Sequence, residues 1–175
     1  MSGKERRAFI IQMLKNSKEP VTGQELAEKT DVSRQVIVTD VALLKTANEP
    51  IIATNRGYLY FQEQTSEQLY RKVIACNHTP EQTKDELEII VDCGVTVTDV
   101  TVEHPIYGEL TGSLRIASRY DVEQFITSLQ KFDAPLLSVL TGGVHLHTLE
   151  ADSLDKINAA CDALKEANYL CSEFK

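Results

Sequence analysis

From Lys4 to Leu14 the apolar residues Phe9, Ile10, Met13 and Leu14 recur at helical spacing, and the pattern predicts a helix. The polar stretch from Asn16 to Pro20 ends it. Thr22 then stands where an N-cap belongs, ahead of a second short helix whose Leu26 and Ala27 turn inward. Ser33 caps a third, which runs through Lys45 on an apolar row of Ile37, Val41 and Leu44. That row leaves Arg34, Gln35, Val38, Thr39 and Ala42 away from the core. Two β-prone runs follow, Ile51 to Thr54 and Tyr58 to Phe61, joined by Asn55, Arg56 and Gly57, a turn in which glycine supplies positive φ. Three helices and a hairpin in about 60 residues is the layout of a winged helix-turn-helix, whose third helix enters the DNA major groove.

Gln62 to Gln68 is polar and without strand or helix period, which places a domain boundary between residues 1–61 and 69–175. Beyond it the pattern predicts strand (Arg71 to Cys76), helix (Pro80 to Asp92), strand (Val95 to Val102) and strand (Glu109 to Ile116). Helix (Val122 to Lys131), strand (Pro135 to Leu140), strand (Val144 to Leu149) and helix (Ser153 to Asn168) complete it. The first six of these elements follow the β-α-β-β-α-β order of a split βαβ fold, with one strand and one helix appended. Three helices on one sheet would cover a single face, an α+β arrangement.

The 175 residues are 42% apolar and 25% charged, an ordinary globular composition that excludes disordered, collagen-like and mucin-like chains. No apolar run approaches the ~18 residues of a membrane span, and the N-terminus is charged where a signal peptide is apolar. A soluble, cytoplasmic protein without a membrane partner is the expectation. The net charge of -8 is unevenly divided. Residues 1–61 hold nine Lys/Arg against seven Asp/Glu, hence +2, and the remainder nine against nineteen, hence -10. Only the first part suits a polyanion. Cys76, Cys93, Cys161 and Cys171 form no CxxC pair and lie among apolar neighbours, as reduced, partly buried thiols do.

Candidate chemistry gathers in the second segment. His145 and His147 lie two apart on a predicted strand, so alternation points both imidazoles to one face, at a spacing suited to one metal ion. His78 ends the first strand, just before a helix start marked by Thr79, Pro80 and Gln82. In that helix Leu87, Ile90, Val91 and Gly94 define the inward stripe; Glu86 lies about 90° from its centre and leans inward, whereas Asp85 falls almost opposite. Three imidazoles and a carboxylate suit a borderline divalent ion such as nickel, zinc, iron or manganese, and suit calcium or magnesium poorly. His104, at a turn with Tyr107 and Gly108, is either polar surface or the wall of a small-molecule pocket.

Together, the stretches Thr22 to Ala27 and Val32 to Lys45, His78-Thr-Pro, His104-Pro-Ile-Tyr-Gly and Gly-Gly-Val-His145-Leu-His147 resemble the niacin-responsive transcriptional repressors, which join a winged helix-turn-helix to a 3H domain. The likeness spans nearly the whole chain. It implies a repressor of NAD-precursor salvage or niacin-uptake genes that binds operator DNA with nicotinic acid as co-repressor and a metal in the 3H domain. The family's metal positions fall on His78, Glu86, His145 and His147, and the chain is expected not to be an enzyme.

On this basis Arg34, Gln35, Val38 and Thr39 are expected to face the major groove, with Ser33 at a phosphate and Arg56 at the backbone or minor groove. A homodimer is expected because one winged helix offers few contacts, with the second domain's exposed sheet as its interface. The nicotinic acid nitrogen would approach the metal, its carboxylate the Gly142 and Gly143 amides or Arg115, with His104 and Tyr107 lining the pocket. Two other readings compete: a metal-dependent hydrolase, and a helix-turn-helix adaptor with structural histidines. No nucleophile elbow, P-loop or GxGxxG accompanies the histidines.

Overall fold

Hydrophobic burial divides the chain between two cores, one in each of the units Met1–Thr65 and Ser66–Lys175. The structure, a computed structural model, describes residues 1–61 and 68–171; residues 62–67 of the expected boundary lie outside the described residues. None of the described helices is long and apolar enough to cross a membrane.

In the first unit α1 (Gly3–Asn16) opens on a capping box, Ser2 N–H donating to Glu5 Oε2 at 2.7 Å. Thr22 caps α2 (Gly23–Thr30) and Ser33 caps α3 (Arg34–Thr46), each hydroxyl accepting a first-turn amide. β1 (Ile51–Thr54) and β2 (Gly57–Tyr60) pair antiparallel. Ile10, Leu14, Leu26, Ile37, Val41, Leu44 and Ile51 form the core. Asp40, which sequence reading leaves unremarked, is buried beside that row and bound by Arg6 Nε at 2.5 Å and Arg7 Nη1 at 3.2 Å, joining α3 to α1. Gly57 has φ 135° because β2 crosses Val21 at close range; a Cβ there would sit 2.5 Å from the Val21 oxygen.

The second unit carries β3 (Tyr70–Asn77), α4 (Thr83–Asp92), β4 (Thr96–His104), β5 (Gly108–Ile116), α5 (Arg119–Lys131), β6 (Val144–Ala151) and α6 (Leu154–Glu166). The first turn expected in α4 is instead a 3-10 turn, Pro80–Gln82. Its four strands lie in the order β3-β6-β4-β5, every neighbouring pair antiparallel. β3 and β4 therefore run parallel with β6 between them, and β5 and β6 parallel with β4 between them. Two interlocked split βαβ units result. Leu87, Ile90 and Val91 of α4, Val122 of α5, and Ile157, Ala160 and Leu164 of α6 all pack with the same sheet residues, so the three helices cover one face.

One expected strand is absent. Pro135 to Leu140 does not pair with the sheet; Leu137–Thr141 forms a 3-10 turn, and β6 is the strand that closes the split βαβ order. Its backbone is satisfied locally, Val139 N–H donating to Leu136 O at 3.1 Å and Gly143 N–H to Ser138 O at 2.8 Å. The run is apolar because Pro135, Leu136 and Leu137 wall a cavity.

Candidate functional site

Register along the sheet brings the second unit's polar groups together. Cys76 on β3 lies opposite His145 on β6, and Ile74 opposite His147, so alternation sends Cys76, His145 and His147 to the helix-covered face. His78 follows the end of β3. Glu86 comes down from α4, fully buried, on the same side of that helix as Leu87 and Ile90. The structure thus unites His78, Glu86, His145 and His147, all nine-tenths or more buried.

Each imidazole is oriented by a main-chain carbonyl. His78 Nδ1 lies 2.8 Å from Thr79 O, His145 Nδ1 2.7 Å from Gly143 O and His147 Nδ1 2.8 Å from Asp99 O. A carbonyl only accepts, so each Nδ1 carries the hydrogen and each Nε2 turns to Glu86. His145 and His147 Nε2 stand 3.2 and 3.1 Å from Oε1, and His78 Nε2 bonds Oε2. Neutral rings in this tautomer would aim three lone pairs at a carboxylate. The arrangement therefore calls for a shared cation or for protons on the rings. Burial alone would raise the Glu86 carboxyl, but the His147 charge and the bonds from the three rings hold it well below the usual range. Burial would lower His78 and His147, and Glu86 raises both above the ordinary imidazole value. Carbonyl-oriented imidazoles with converging Nε2 atoms are the surroundings of a metal ligand set, and the four groups can take up one borderline divalent ion.

Cys76 belongs to this cluster and escaped the sequence reading. Its Sγ, a Glu86 oxygen and a His145 ring nitrogen lie within 4.8 Å of one another. The available signal was its position two residues before His78, the same spacing that links His145 and His147. Burial, then the Glu86 charge, pushes its thiol far up. Tyr169 was also missed; its ring packs edge-on to His78 at 5.4 Å and its hydroxyl donates to Asp85 at 2.6 Å, bracing the cluster from outside.

Beside the cluster lies a cavity of about 190 Å³, lined by His78, Glu86, His145 and His147 at one end and by Val100, Leu114, Phe125, Leu129, Leu136 and Leu137 elsewhere. None of the five expected ligand-binding residues lines it. His104 and Tyr107 stand at the β4–β5 turn, where His104 Nδ1 accepts the Ile106 and Tyr107 amides at 3.2 and 3.3 Å and Tyr107 is exposed. Arg115 is the left-handed residue (φ 51°) opposite the register shift between Val97 and Asp99. Gly142 and Gly143 border a separate cleft with Asn77, His78 and Thr79, and both their amides already donate to Ser138 O.

In the first unit Ser33, Arg34, Gln35, Val38 and Thr39 are all exposed along the first turns of α3. The Ser33 hydroxyl is engaged as a cap, and the Thr39 hydroxyl donates to Gln35 O at 3.1 Å. Arg56, in the turn between β1 and β2, is half-buried, with Nη2 3.7 Å from Glu19.

Comparison with known proteins follows this division of the chain. A 3H domain matches residues 71–173 and an HTH domain matches residues 6–59. The chain is 49% identical over 174 residues to "Transcription repressor NadR" of Bacillus subtilis (strain 168), covering 99% of this chain and 97% of that one. It is 39% identical over 169 residues to "Probable transcription repressor NiaR" of Thermotoga maritima, covering 97% and 95%. An uncharacterized protein of Methanothermus fervidus is 32% identical over 100 residues, 53% of this chain and 16% of that one. With an HTH domain, a 3H domain and likeness to both repressors over nearly its whole length, the chain belongs to the NiaR/NadR family of transcription repressors.

Proposed function

We propose that this repressor senses nicotinic acid and, as a homodimer, silences niacin-uptake or NAD-precursor salvage genes by binding their operators. The observation that carries the reading is the meeting of three Nε2 atoms and one carboxylate at the end of a small apolar cavity. An apolar cavity of about 150 Å³ takes one benzene ring. The cavity beside Glu86, at about 190 Å³, has the size for one ring with a small substituent. His78, Glu86, His145 and His147 would hold a divalent transition ion, nickel, zinc, iron or manganese. When bound, that ion supplies positive charge and an open coordination position for a borderline donor such as a pyridine nitrogen. The chain's own residues do the rest: main-chain carbonyls fix the three rings, and Val100, Leu114, Phe125 and Leu129 exclude water.

In the first unit α3 would read the operator. Arg34 can pair with guanine, Gln35 with adenine, and the Val38 methyls can meet a thymine methyl. Ser33 and Arg56 would serve the backbone, Arg56 after exchanging Glu19 for phosphate. The test is metal analysis of purified protein and a gel-shift titration on niacin-gene promoters with and without nicotinic acid. Stoichiometric metal and tighter binding with nicotinic acid are expected. His147→Ala should lose the metal and the response while its first unit stays folded on its own core. A variant that keeps both would overturn the assignment.

A further inference from the structure

Cys76 has the chemistry of a metal ligand, and the metal reading above leaves it unused. Its side chain is fully buried, and its Sγ, a Glu86 oxygen and a His145 ring nitrogen all lie within 4.8 Å of one another. Ligand atoms sit about 2.0 to 2.3 Å from a zinc-like ion, so two on the same ion are at most about 4.4 Å apart. A closing of a few tenths of an ångström therefore puts all three on one ion. The β3–β6 register sets Cys76 directly opposite His145 on the helix-covered face, so the strand pair that delivers an imidazole delivers the sulfur too. His78, Glu86, His145 and His147 all line the cavity, and Cys76 does not. Its sulfur thus joins the cluster away from the cavity and leaves the cavity side open.

Charge and softness point the same way. A divalent ion with three neutral imidazoles and one carboxylate carries a net +1, which is costly where water is excluded. Among the described residues the other buried carboxylate of the second unit is Asp121, and it accepts the Ala117 amide at 2.9 Å at the start of α5. A thiolate makes the site neutral. We propose that Cys76 is a further ligand of the ion, completing a set of three nitrogens, one oxygen and one sulfur that selects nickel or zinc over manganese. This rests on the metal reading above. On binding, the sulfur gives a lone pair to the ion and its proton passes to solvent, with no change of oxidation state. Thiolate is a soft donor that suits zinc and its borderline neighbours, whereas manganese favours oxygen. Five protein donors on a six-coordinate ion keep one position open.

The test is spectroscopy of the reduced full chain and its Cys76→Ser and Cys76→Ala variants. Cobalt(II)-loaded wild type should show a sulfur-to-metal charge-transfer band in the near ultraviolet, and X-ray absorption of the zinc(II) form should show sulfur at about 2.3 Å. Both signals should be absent from the two variants. Competition between zinc(II) and manganese(II) reads the selectivity: Cys76→Ser should lose about tenfold or more in zinc affinity and stay within a few-fold for manganese. A cysteine that only packs in the core would leave that ratio unmoved. Metal-loaded wild type with nitrogen and oxygen alone around the ion overturns the proposal and leaves the four-ligand set standing. A band that persists in Cys76→Ser puts the sulfur on Cys93, Cys161 or Cys171 and overturns it equally. Should both variants lose the fold, the wild-type X-ray absorption still decides. Wild type that takes up no metal at all would sink the metal reading along with the proposal.

Discussion

A carboxylate with no exposure and three imidazoles on it makes the charge state of single residues the controlling quantity of the second unit. Without metal, His78 and His147 are raised above the ordinary 6.5, so the stability they contribute is full below that value and is lost as pH climbs through their folded values. Glu86 lies well below 4.5, so its contribution is full above 4.5 and is lost as pH falls through its folded value. Chelator-treated protein should therefore melt highest in the window between 4.5 and 6.5. Metal affinity should run the other way, rising with pH beyond 6.5 as the ion displaces protons from His78 and His147. Melting curves across pH with and without chelator check both signs; a flat chelated profile would show that the cluster does not titrate as a unit. In the first unit the same scale sets Arg34 apart from the other three arginines. Arg6 and Arg7 serve Asp40, Lys29 serves Glu25 and Arg56 faces Glu19, whereas Arg34, exposed on the first turn of α3, forms no ion pair among the described residues. Arg34→Ala should cost roughly 1 to 3 kcal/mol of specific operator binding, with relaxed preference at one base. Unaltered affinity and preference in a binding assay on operator variants would remove it from the reading helix.

At the scale of elements, two glycines mark where a backbone must come close. Gly57 (φ 135°) lets β2 bridge Val21, and Gly143 (φ 108°) places its α-carbon where a Cβ would meet His78 O at 2.6 Å. Alanine at either site should cost roughly 1 to 3 kcal/mol, but the consequences separate. Gly57→Ala should weaken the first unit and leave metal binding intact; Gly143→Ala should displace the carbonyl that orients His145 and lower metal affinity. Denaturant melts paired with metal titration distinguish them, and a Gly143→Ala protein of wild-type affinity would show that this carbonyl is not needed. Elements of this kind explain what the sequence displayed. Thr22, Ser33 and Thr79 announced three helix starts because capping is local chemistry, and His145 and His147 announced a shared face because alternation is local too. What escaped depends on tertiary partners. Pro135 to Leu140 read as a strand because cavity walls and buried strands use the same residues, and only the absence of a pairing partner separates them. Cys76 gained its place from Glu86, ten positions on and in another element. The cavity joins residues from α4, β4, β5, α5 and β6, which no spacing rule assembles.

For the whole molecule the charge division limits how DNA can be held. The first 61 residues carry +2 and the remainder -10, so a single copy approaches a polyanion with little net attraction. Each phosphate neutralised adds about 0.9 to the slope of log affinity against log salt, and one winged helix with nine cations, four of them in internal ion pairs, can neutralise few. Two copies on one duplex double those contacts and make the second engagement intramolecular, which raises affinity by orders of magnitude without any new contact. The protein should therefore be a dimer at micromolar concentration, its two α3 helices meeting half-sites related by two-fold symmetry about one helical turn, or a multiple of it, apart. The second unit has the larger core and a sheet whose uncovered face exposes Val73 and Val144, so it is expected to supply the contact. Light scattering of the free protein and of its operator complex reads the stoichiometry, and footprinting reads the spacing. A dimer in both states, with salt dependence steeper on a two-half-site operator than on one half-site, is the expected result. Monomer in both states, with equal affinity for one half-site and two, would mean that a single winged helix suffices and that specificity rests on α3 alone.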